Sequence, residues 1–175
     1  MKNIFLLLLI ALISSSFIIP DKIVKKADKI IAKFYENDDF SKEIISISEE
    51  NNKKTTSEFG DGNLFKILSD GNLLGYGYIG SAASKAADFD YLVLFDKDFI
   101  ITKSKVLVYR EEYGGEIGSK RWLKQFIGKS SNSSELIYGE NIVPISGATI
   151  SVRSMTQSIN DLLISIGELQ KLKAL

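Results

Sequence analysis

The residues in this sequence best placed to do chemistry are Ser146-Gly147-Ala148-Thr149, inside the stretch IVPISGATISVRSM from Ile142 to Met155. Gly147 and Ala148 are small enough to let another body approach the backbone closely. The Thr149 hydroxyl follows at once, and behind it a helical pattern begins. Apolar residues recur at Val152, Met155, Ile159, Leu162, Leu163, Ile166 and Leu169, the three-and-four spacing of one helix face. Thr149 is therefore expected at or just before a helix N-terminus. Unpaired N–H groups and the positive end of the helix dipole favour a phosphate there. The ordinary alternative is that Thr149 is an N-cap accepting a backbone hydrogen bond, a role Thr fills well.

Composition narrows the chemistry further. The 175 residues suffice for one domain with a real core, and 45% hydrophobic with 25% charged residues is ordinary for a globular chain. Lys plus Arg and Asp plus Glu are both 22, so no net field argues for nucleic acid or an anionic membrane surface. With no Cys and no His, disulfides, thiolate nucleophiles, iron–sulfur clusters, c-type haem attachment and the usual zinc sites are excluded. Ser-His-Asp catalysis falls with them. A redox function would have to use a cofactor held without either residue, a restriction that flavin satisfies.

The elements that must position the tetrad are legible in order. Residues 1–19 read as a signal peptide or N-terminal anchor: Lys2, an apolar run from Ile4 to Ile13, then three serines. That run has signal-peptide length and is short for a membrane-spanning helix. Residues 20–175 form the single domain. Pro20 to Glu36 is helical, with Ile23, Ala27, Ile30, Ile31 and Phe34 on one face and five lysines elsewhere. Residues 48–61 read as a polar loop. Strands are expected at Leu64–Leu68, Leu73–Ile79, Tyr91–Phe95 and Ile100–Tyr109, with turns at Ser69–Asn72 and Asp96–Asp98. Gly75, Gly77 and Gly80 lie inside a strand and mark a bulge or a close neighbour, not a nucleotide fingerprint. A helix follows Gly118, with Trp122 in the core. The sum is an α+β domain, an antiparallel β-sheet flanked by helices.

SGAT ahead of a hydroxyl-rich helix resembles the flavinylation motif of the FMN-binding domain family. That family includes the FMN-bearing subunits of the sodium-translocating NADH:quinone reductase and of Rnf-type electron-transport complexes. Its pattern is Asp, two residues, Ser or Thr, Gly, Ala, Thr, and here Val143 stands at the Asp position. The layout from Phe65 to Ile164 is similar too. Glu112, Tyr113, Gly114 and Gly115 occupy the region of the family's Glu-Thr-Pro-Gly-x-Gly loop, although the Thr-Pro is missing.

The resemblance implies FMN joined through its phosphate to Thr149, with Ser146, Gly147 and Ala148 around the attachment and Glu112, Tyr113, Gly114 and Gly115 as cofactor neighbours. It implies an exported electron-transfer protein in the periplasm or on the outer face of the inner membrane. Its partners would be a flavin transferase for maturation and a membrane or extracytoplasmic redox partner. Two other readings stand beside it. Val143 motivates a flavin-free member acting as an extracytoplasmic interaction or ligand-binding module. An enzyme reducing a small substrate directly would need its own acid or base, and the carboxylates, tyrosines and lysines form no recognisable set.

Overall fold

The computed structural model describes residues 19–175, so the apolar run and the serines of the targeting segment lie outside the described part. Five strands follow one another in space as in sequence, every neighbouring pair antiparallel. They are β1 (Ser41–Ile44), β2 (Leu64–Ser69), β3 (Asn72–Ala82), β4 (Phe89–Phe95) and β5 (Ile101–Val108). The expected hairpins form for the expected reasons. Asp70 and Gly71 both have positive φ, 49° and 74°, the left-handed pair that a two-residue turn demands. At the next hairpin but one, Asp96 Oδ1 accepts the N–H groups of Asp98 and Ile100, each at 2.9 Å.

The helices are α1 (Asp21–Tyr35), a single turn α2 (Glu49–Asn52), the short α3 (Lys120–Leu123) and the long α4 (Thr149–Lys171). Two features differ from the sequence reading. The strand β1 and the turn α2 lie where no element was expected, because an exposed edge strand reading SKEI carries no apolar alternation. The helix expected after Gly118 is preceded by a 3-10 turn at Gly115–Gly118 and consists of α3 and a second 3-10 turn ending at Phe126.

The sheet is covered on both faces, which makes β4 buried along its whole length. Leu92 and Leu94 meet α1 through Ile23, Ala27 and Ile31. Tyr91, Val93 and Phe95 meet the other layer, where Trp122 and Phe126 join Val152, Met155, Ile159 and Leu162 of α4. Gly77 is the close approach expected of it: a Cβ there would lie 2.4 Å from the Phe65 ring.

Burial has a consequence at alkaline pH. It pushes the Tyr78 hydroxyl up to about 12, with the Glu58 carboxylate adding to the effect. The unfolded chain releases this proton near its ordinary value of about 10 while the folded chain still holds it. The stabilisation is therefore full below pH 10 and is lost as pH rises through 12, about 2–3 kcal/mol in all. Tyr78→Phe is expected to remove that part of the decline. Urea unfolding of both proteins between pH 9 and pH 12 measures it, and parallel curves would refute it.

Candidate functional site

α4 begins in an unusual way. Its N-cap is Ala148, which offers no side-chain bond, and Thr149 is the first helical residue. The capping role considered for Thr149 is therefore not what the chain adopts. The reason is tertiary. Ser146 and Gly147 form a turn with Gly147 at φ 76°, and this swings Ala148 inward, where it is only 3% exposed. A buried methyl takes the cap position, so the Thr149 side chain stands exposed on the first turn. The hydroxyls of α4 that find partners include those of Ser151, Ser154, Thr156, Ser158 and Ser165. Thr149 is not among them. Around Gly147 the space is open, for a Cβ there would meet nothing within 4 Å.

Three segments hold this helix start in place. The loop read as a cofactor neighbour does pack against the tetrad: Gly114, at φ 78°, lies so close to Ala148 that an added Cβ would sit 2.4 Å from the Ala148 methyl. Gly115 has open space around it, and Glu112 and Tyr113 are exposed, Tyr113 at 76%. On a second side, Ser151 bonds to Ser84 at 2.5 Å and to the Tyr109 hydroxyl at 3.0 Å, while the Ser154 hydroxyl donates to the Ala83 carbonyl. Glu111 pins the same 83–88 loop by accepting the Ala86 N–H at 2.7 Å, and that bond holds its carboxyl below the usual carboxylate range.

Upstream, Val143 is clamped through its backbone. The Trp122 indole donates to its carbonyl at 2.8 Å, and its N–H donates to Gln125 Oε1 at 2.8 Å. Trp122 is core, as expected, and also a strut for the motif. The clamp leaves the Val143 side chain 63% exposed. Ser84, Tyr109, Glu111, Gln125 and Ser151 carried no local signal, because each acts through a partner distant in sequence.

The electrostatics suit an anion. The first N–H groups of α4 have no side-chain acceptor at the cap, and they lie at the positive end of a 23-residue helix. Arg153, one turn on, is exposed and stands over the Tyr138 ring, its guanidinium carbon 4.8 Å from the centroid. A cavity of about 300 Å³ lies elsewhere, lined by Glu58, Asp61, Tyr78, Tyr91 and Asp161. Asp161 is twelve residues from Thr149, roughly 18 Å along the helix. Three carboxylates in its wall repel a phosphate, so the helix start suits an anion better than the cavity does.

Comparison with known proteins agrees with this geometry. The fold is similar to that in the crystal structure of NqrC from Shewanella oneidensis, with a TM-score of 0.50 and 19% identity over 74% of this chain and 69% of that one. No curated protein matches the chain. Residues 85–164, from the loop that Glu111 pins to the middle of α4, match the FMN-binding domain family, within the stretch on which the resemblance rests. Over these residues the chain is similar to the FMN-binding domain family.

Proposed function

We propose that this protein is an exported electron-transfer flavoprotein whose FMN is joined by a phosphoester to Thr149. The observation that carries this is the exposed, unbonded Thr149 at an uncapped helix start, inside the matched segment. The residues present fit a phosphate-anchored flavin. The α4 amides and Arg153 offset the charge of a phosphodiester, and Gly147 leaves its approach open. The loop from Glu112 to Gly118, packed on Ala148, bounds the adjoining space. When bound, the flavin supplies the one- and two-electron chemistry, and the protein supplies attachment, position and field.

Attachment also explains how such a protein keeps its cofactor. A charge–dipole contact at a helix start is worth up to about 2 kcal/mol, far too little to retain FMN where none is free in solution. A covalent bond removes the problem. The reading therefore includes a flavin transferase for maturation, a location outside the cytoplasm, and a redox partner in or near the membrane. The competing reading, a flavin-free interaction module, draws on Val143, where the family's pattern has Asp.

The experiment is the intact mass of the chain produced together with a flavin transferase, expected to exceed the unmodified mass by one FMN less one water. Because the Val143 side chain points outward while its backbone is clamped, Val143→Asp changes what an enzyme reads without moving the tetrad. It is expected to raise the flavinylated fraction severalfold at limiting transferase. Equal fractions would mean that the position is not read. An unmodified wild type with a modified Val143→Asp would favour the flavin-free module.

A further inference from the structure

The balanced net charge of this chain conceals a segregated one. Helix α1 carries five lysines, none of which is paired in an ion pair among the described residues. It lies against β5, one of the two edge strands of the sheet. Lys26 Nζ donates to the Leu107 carbonyl at 3.2 Å, and Lys103 Nζ stands 5.2 Å over the Phe34 ring, so helix and strand run in opposite directions. Lys103 and Lys105 share the strand face that carries Leu107, beside Lys33, and Lys120 opens α3 at the same edge. Lys33, Lys103, Lys105 and Lys120 are likewise absent from every ion pair among the described residues. Burial, then the charges of Lys120, Lys105 and Lys33, holds Lys103 below the ordinary lysine value, so these cations feel one another.

Two large apolar side chains also stand exposed near this edge, Ile100 beside the Asp96 carboxylate that accepts its N–H. Ile127 is 43% exposed and Ile100 36%, both at the foot of β5, where the chain at Gly128 and Lys129 bonds to Ile101. Amphipathic surfaces of this composition bind lipid headgroups, the lysines meeting phosphates and the isoleucines entering the interface. Helix α1 begins at Asp21, and the apolar run of residues 4–13 precedes it in the sequence with residues 14–20 between. No helix among the described residues is long and apolar enough to cross a membrane, so the domain itself would meet a bilayer only with its surface.

We infer that the face formed by α1, the β5 edge and the start of α3 docks on a bilayer of anionic phospholipid. The docking is electrostatic and independent of the flavin. It would orient the domain with α3 toward the lipid, and Lys120 lies just beyond Ser119 and the Glu112–Gly118 loop whose Gly114 packs on Ala148. The candidate flavin site thus lies beside the docked face rather than remote from it.

The test uses the full chain and two kinds of vesicle, phosphatidylcholine alone and equal parts phosphatidylcholine and phosphatidylglycerol. The ratio of the two partition coefficients cancels whatever the apolar N-terminal run contributes. The wild type is expected to favour the anionic vesicles by about tenfold or more, and molar salt should abolish that preference. The triple variant K33E/K105E/K120E, at positions not fully buried, is expected to lose the preference while keeping its circular dichroism and its partition to neutral vesicles. A wild type that binds both vesicles equally overturns the inference and leaves the lysines to an acidic protein partner. So does a triple variant that retains the full preference. Flavin content is read on the same samples, and its absence would bear on the electron-transfer reading alone.

Discussion

Thr149→Ala is expected to yield a folded protein with no flavin. Thr149 is the first helical residue and not the cap, so the substitution removes no capping bond. Stability should then stay within about 0.5 kcal/mol of wild type, as for an exposed position. Were Thr149 the cap, the cost would be about 1 kcal/mol. One variant thus reports on two questions: thermal unfolding tests the cap assignment, and the mass of the tryptic peptide containing residue 149 tests the attachment. Thr149→Ser keeps a hydroxyl at the same place and is expected to retain part of the flavin. Ser146→Ala should only lower the yield, since Ser146 is exposed beside the attachment and does not carry it. Undiminished flavin on Thr149→Ala would end the phosphoester reading.

Gly114→Val should be the most damaging substitution in the neighbouring loop, and Gly115→Val nearly silent. At Gly114 the backbone is left-handed, which costs a residue with a Cβ about 1–2 kcal/mol. The new side chain would also collide with Ala148, adding roughly 1–3 kcal/mol of overpacking. The strain falls on the residue before Thr149, so the tetrad should shift and flavinylation should fall together with stability. Gly115 is exposed with open space around it, and a change there is expected within about 0.5 kcal/mol. Should valine at 114 prevent folding, Gly114→Ala carries a smaller version of both penalties, and its flavin content can still be read. Equal effects at the two glycines, in melting temperature and in flavin content, would show that the Gly114–Ala148 contact does not hold the tetrad.

What the sequence by itself determined is whatever a local period or a short motif encodes. The apolar spacing from Val152 to Leu169 placed the helix start at Thr149, and Asp70-Gly71 specified a hairpin through its backbone preferences. Alternation and turn chemistry located four of the five strands, and the motif with its layout pointed to the family that residues 85–164 match. Tertiary structure decided who caps α4, because burying Ala148 under Gly114 outweighs the local preference for a hydroxyl cap. It also decided what braces the helix start. Ser151 meets Ser84 and Tyr109 from 67 and 42 residues away, and no periodicity records such a meeting. The lysines followed the same rule. Summed along the chain their charge cancels, and only the packing of α1 on the β5 edge gathers them onto one face. A sequence specifies which residues turn inward on each element, but contacts between elements depend on how those inward faces fit together.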